Sequence, residues 1–223
     1  MKIYGIPISP FVRKTRFVLE LKGLDYEIEG VFPGTQTPEY LAISPLGKIP
    51  AFEDDDDILC DSNVIIEYLE EKYPETPARP SSLSDRAKCR WLEEYAGSMM
   101  FGPLAGAIFM ERLTKPFSTN QPANENVVAD SIANRVPPVF DYIESQLPEQ
   151  GFFFGDISVA DIAVVSATIN ASYSSFEVDS ELWPKVSAHL KFVMDHPVVR
   201  KCMEAEKPLI DKLLQAQADR QKQ

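Results

Sequence analysis

The 223-residue sequence predicts two unlike halves, an α/β unit followed by an all-helical region. Up to residue 75, short runs with strand character alternate with capped helical runs in the order β-α-β-α-β-β-α. The stretch "YPETPARPSS", residues 73–82, carries three prolines and reads as a linker. Beyond it the chain keeps helical character. The expected division is therefore 1–75, a linker over 76–83, and a helical domain over 84–223.

The elements follow in order. Residues 2–6 alternate weakly and are bounded by Gly5 and Pro7, which marks a short strand. In "SPFVRKTRFVLELKG", Ser9 is a good N-cap, Pro10 suits the first helical position, and Gly23 is the stop. "DYEIEGVF" alternates at period two and forms the second strand, and "TPEYLAIS" gives one or two helical turns. "GKIPAFEDDDDILCD" supplies two strands around an acidic turn expected to be solvated, since "EDDDD" lacks the spaced ligands and glycine of a calcium loop. "SNVIIEYLEEKYP" is a helix stopped by Pro74. Further helices are expected over 84–113 (one long helix or two), 123–146, 158–173 and 186–216, with a break or kink at Pro137-Pro138 and a fraying tail, "QAQADRQKQ".

Composition narrows the function. A net charge of −12 speaks against a nucleic-acid binder, which needs a basic surface, although Arg13, Lys14 and Arg16 leave room for a small anionic ligand. The three cysteines, Cys60, Cys89 and Cys202, are widely spaced with no CxxC, which suits a reducing compartment and gives no disulfide frame or zinc site. No signal peptide is readable at the N-terminus, and the apolar stretch "FGPLAGAIFM" is about half of a membrane span. A cytoplasmic protein with no metal is expected.

Three motifs stand out. In "LGKIPAFED", Pro50 enters a strand where either a trans edge proline or a cis bond is possible, and a cis bond would turn the backbone of Ile49 outward as a docking edge for a peptide. Asp61-Ser62 can cap the next helix or hold a carboxylate at its N-terminus. In "GDISVADIAVVS", Ser158 and Asp161 form a capping-box variant, a signal for folding.

With "ISPFVRK", "GKIPAFED", "CDSNVIIEYLEEKYP" and "GDISVADIA" in this order, the chain resembles the cytosolic glutathione transferases from Met1 to about Pro208. The resemblance implies a thioredoxin-like N-terminal domain that holds glutathione and a helical domain that completes the pocket for a small apolar electrophile. It also implies a cis Pro50 and a homodimer. Ile49 would pair its backbone with the cysteinyl part of glutathione, Asp61 and Ser62 would take the γ-glutamyl end, and Lys48 would meet the glycyl carboxylate.

Among the classes of the family, the chain resembles the serine type, theta-like or bacterial, with Ser9 where those enzymes carry the activating hydroxyl. A thiol of ordinary pKa, about 8.5, is only a few per cent thiolate at neutral pH, and each unit of lowering takes about 1.4 kcal/mol. A hydroxyl donor, the helix N-terminus and Arg13 in its first turn are the expected sources. Tyr4, in the first strand, is the rival donor. Ile8 and Pro10, beside Ser9, are expected to touch the electrophile, and Met99, Met100 and Phe101 can form an adaptable apolar pocket or plain core. Two other readings stay open: a binding or regulatory protein that keeps the fold without turnover, and a glutathione-dependent isomerase or dehalogenase.

Overall fold

The computed structural model describes residues 1–221. Four short strands, β1 (Lys2–Gly5), β2 (Glu27–Gly30), β3 (Ala51–Asp54) and β4 (Asp57–Cys60), form one sheet in the order β2-β1-β3-β4. β1 runs parallel to β2, as the crossover helix between them requires, and antiparallel to β3, which turns tightly into β4. Helices α1 (Pro10–Lys22), α2 (Pro38–Ile43) and α3 (Ser62–Lys72) complete the first unit. Gly23 ends α1 in the left-handed conformation. This is a thioredoxin-like unit with a four-stranded sheet.

The helical domain begins with α4 (Leu83–Tyr95), which continues through π-helical stretches at Ala96–Met100 and Gly102–Thr114 into α5 (Lys115–Thr119). It goes on with α6 (Glu125–Asp130), a π-helical stretch at Ser131–Arg135, and α7 (Val136–Gln146). Then come α8 (Val159–Ser172), α9 (Pro184–Met194), α10 (Pro197–Glu204) and α11 (Lys207–Gln221). In place of a break, the π-helical stretch runs on into α7, with Arg135 and Val136 both in the right-handed helical region and Val136 N–H bonded to Ser131 O, and Pro137 and Pro138 lie just after this π-helical turn. Residues 215–221 of the tail expected to fray are helical, and 222–223 lie outside the described residues.

Helix α1 joins the two domains. It packs on α3 on one side and on α8 and α10 on the other, so residues 12–19 are buried all round. Val12, Phe17, Val18 and Leu19 enter the common core with Ile3, Phe52 and Ile65. Its cations meet buried carboxylates of the helical domain: Arg13 reaches Glu206 at 2.6 Å and Lys14 reaches Glu93 at 2.7 Å. Such pairs tie the domains in register, and breaking one costs far more than the intact pair contributes. The basic cluster at 13–16 is thus a domain seam, its charges paired with buried carboxylates.

Candidate active site

The connection from β1 to α1 decides where Ser9 stands. Gly5 ends β1 so close to α1 that an added Cβ would lie 2.6 Å from Val12 Cγ2. The chain then turns, with Ser9 N–H donating to Ile6 O at 3.1 Å, and Ser9 O accepts from Arg13 N at 2.8 Å as the first bond of α1. Ser9 Oγ accepts a long bond from Val12 N, 3.5 Å. The cap uses a lone pair, and among the described residues the Ser9 hydroxyl proton is donated to no protein acceptor. The residue is partly exposed at the positive end of α1.

A cleft of about 290 Å³ opens beside it, between the two domains. Of the residues singled out from the sequence, Pro10, Lys48, Asp61, Ser62 and Phe101 line it. Lys48 is exposed, and its carbonyl accepts from both Tyr40 Oη (2.7 Å) and Ser44 Oγ (2.9 Å), which clamps the approach to the Ile49–Pro50 bond. That bond is cis. Among the described residues, neither backbone polar group of Ile49 has a hydrogen-bond partner. Asp61 is the N-cap of α3, its Oδ1 accepting from Asn63 N at 2.8 Å with the backbone at φ 74° and ψ 129°. A non-glycine residue held there is strained, and strain of this kind collects at binding sites.

The expectation that Met99, Met100 and Phe101 share one pocket is corrected. Each step along a helix turns by roughly a quarter of a circle or more, so three consecutive side chains diverge. Met99 is 51% exposed and away from the cleft lining, Met100 is fully buried in the core, and only Phe101 reaches the cleft, its ring 5.2 Å from that of Phe11. Ile8 is also displaced from its expected role: its side chain is buried with Phe109, Leu113, Ile210 and Leu213 under the last helix.

Two contributors to thiolate formation change place as well. Arg13 is fully buried, bound to Glu206 through Nε and Nη2 and to Ser166 O through Nη1, so its charge is spent on the domain seam. Tyr4, the rival donor, gives its hydroxyl proton to Glu53 Oε2, and that bond pushes the phenol pKa up. The acidic hairpin is likewise less solvated than expected. Asp54 is buried and accepts from Tyr68, Lys72 and Tyr73, because the strand period turns it inward while Asp55 and Asp56 face water.

The cleft also holds residues that sequence reasoning passed over. Phe11 and Gly97 form its apolar side, where the absent side chain at Gly97 leaves the Phe11 ring open. Phe11 was within reach, being the second residue of α1 beside Pro10. Lys14, read from the sequence only as part of the basic cluster, lies at the wall between Glu93 and Asn63, and burial pushes its ammonium pKa down against the pull of Glu93. Ala163 and Ala167 of α8 carry no sequence signal at all.

Comparison with known proteins identifies the family. The family model described as "Glutathione S-transferase, N-terminal domain" matches residues 3–77, and that described as "Glutathione S-transferase, C-terminal domain" matches residues 109–206. Glutathione S-transferase 3 of Zea mays is 34% identical over 161 residues, covering 70% of this chain and 71% of its own. The maleylacetoacetate isomerase of Pseudomonas aeruginosa is 30% identical over 215 residues, covering 93% of this chain and 98% of its own. The crystal structure of a glutathione transferase from Populus trichocarpa superposes with a TM-score of 0.77 at 25% identity, over 93% of this chain and 99% of that one. With both domain models matched and relatives aligned along most of its length, the chain belongs to the glutathione S-transferase family.

Proposed function

We propose that this glutathione transferase is of the serine type, with Ser9 donating its hydroxyl proton to the sulfur of bound glutathione. The observation that carries the reading is the uncommitted Ser9 hydroxyl at the N-terminus of α1, next to cleft-lining Pro10. Tyr4 is committed to Glu53 and Arg13 to Glu206, which leaves Ser9 and the helix dipole to favour the anion. The tripeptide lies along the cleft, with its cysteinyl part on the free backbone groups of Ile49 beside Pro50. Asp61 and Ser62 take the γ-glutamyl end and Lys48 the glycyl carboxylate. The sulfur loses its proton to solvent. Its lone pair then forms the new C–S bond as the electrophile's leaving group departs with the electrons of the broken bond. The electrophile is a small apolar molecule held against Phe11 and Phe101. We place the protein in the cytoplasm as a homodimer, consistent with its family; among the described residues no helix is long and apolar enough to cross a membrane.

A second reading is favoured by the Pseudomonas aeruginosa relative, whose name states an isomerase and which this chain covers over 98% of its length. The same thiolate would add to a conjugated double bond and leave again after rotation, with no net consumption of glutathione. One experiment separates the readings. Bound glutathione is titrated by thiolate absorbance, and turnover is then measured with aryl halides and with maleylacetoacetate. Thiolate at neutral pH with conjugate formed from aryl halides supports transfer. Rapid isomerisation with glutathione conserved supports the second reading, and absence of a thiolate signal overturns both.

A further inference from the structure

The peptide unit that joins Ile8 to Ser9 is held at both ends, and one of the two anchors comes from the other domain. On the amide side, Ser9 N–H donates to Ile6 O at 3.1 Å within the same turn. On the carbonyl side, Ile8 O accepts from Asn170 Nδ2 at 3.0 Å, a buried bond from α8. We propose that Asn170 is the positioning residue through which the helical domain aims the Ser9 hydroxyl.

Backbone freedom makes this anchor decisive. Pro7 and Pro10 have their own φ fixed by their rings, and the Ser9 carbonyl is tied to Arg13 N at 2.8 Å. The soft joint left in the turn is the plane between Ile8 and Ser9, whose rotation would re-aim the Ser9 Cα–Cβ bond. Asn170 closes that joint. Its orientation is set by chemistry, since only the amide edge can donate to a carbonyl, and a flipped side chain would place two oxygens face to face. The orientation leaves Asn170 Oδ1 buried without a partner. An unpaired buried acceptor is costly, and an apolar residue would pack α8 against α1 without it. The residue's use lies in what its amide holds.

The inference rests on Ser9 as the donor to the thiolate, and the experiment keeps the two apart. Asn170→Leu, of similar size, and Asn170→Ala are made in the natural chain and in a Ser9→Ala background. The thiol pKa of bound glutathione is read by absorbance, and affinity for S-methylglutathione, which has no thiol, is measured alongside. In the natural chain the thiol pKa should rise by about one unit and turnover at neutral pH fall roughly tenfold. S-methylglutathione affinity should stay as it was, and in the Ser9→Ala background the Asn170 substitutions should add nothing. Ser166→Ala, one turn earlier on α8 with an equally unpartnered hydroxyl, should leave the thiol pKa unchanged. A folded Asn170 variant with normal thiol pKa and turnover, or one whose effect persists without Ser9, overturns the proposal. A normal thiolate in Ser9→Ala alone sinks the Ser9 reading, and this inference with it.

Discussion

Two serines cap two helices that pack against each other, and their hydroxyls are spent differently. Ser158, at the start of α8, is buried and gives its proton to Asp161 Oδ2 at 2.7 Å, while its N–H donates to the same oxygen at 2.8 Å. Asp161 Oδ1 also accepts from Phe153 N at 3.0 Å, so one carboxylate fastens the cap to the loop before it. Ser9, at the start of α1, caps with a lone pair at 3.5 Å and keeps its proton. Both are serine N-caps in sequence. A capping hydroxyl becomes available for chemistry only when no neighbouring acceptor claims its proton and the helix start opens on a cleft.

The comparison can be broken first at Ser9. Ser9→Ala should lower turnover by roughly ten- to a thousand-fold, the loss expected for one oriented donor to an anion. Glutathione should still bind through its ends and the melting temperature should change little. Retained thiolate absorbance and turnover would show that the two serines are alike after all.

At the other cap the expected effect is on stability. Asp161→Ala leaves the N–H groups of Phe153 and Ser158 without their acceptor in the interior and should cost about 2 to 4 kcal/mol of folding free energy, read by denaturant unfolding. Turnover per site, counted by titration with a tight glutathione analogue, should stay near normal. A folded, fully titratable variant with turnover down a hundred-fold would make Asp161 part of the chemistry. Ser158→Ala, which removes only the hydroxyl, should cost about 1 kcal/mol and leave turnover per site intact.

The smallest effect separates the caps by pH. His189 Nδ1 lies 3.1 Å from Gly151 O, and its Nε2 faces Asp161 Oδ1 at 3.5 Å without a hydrogen bond. Burial pushes the imidazole pKa down, and the charge of Asp161 does not overcome this. Below the ordinary histidine value, roughly 6.5, the unfolded chain therefore takes up a proton that the folded chain refuses, and this contribution to stability falls as pH falls. Burial pushes the Asp161 carboxyl up, which acts with the opposite sign. His189→Gln should flatten the acid loss of stability between about pH 7 and 5 relative to the natural chain, while the pH profile of turnover, set by the thiol, stays in place. An unchanged stability profile would mean that the histidine does not titrate with folding.

Features under short-range chemical control are written in the chain itself. The β-α-β-α-β-β-α order, the caps at Ser9, Asp61 and Ser158, the stop at Gly23 and the proline-opened turns were legible because each depends on neighbours a few residues away. As candidates, Ser9, Pro50 and Asp61 stand out for the same reason, since they sit at element boundaries that their residue types mark, whereas Lys48 enters only through the family resemblance. That Arg13 serves Glu206, that Tyr4 serves Glu53, that Met100 is core, and that Phe11, Gly97 and Ala167 share a cleft follows from the packing of distant segments. Those outcomes depend on which groups far apart in the chain come within a few ångströms. A buried charge or phenol goes to whatever partner the fold brings near, because leaving it unpaired costs more than any local preference can offset.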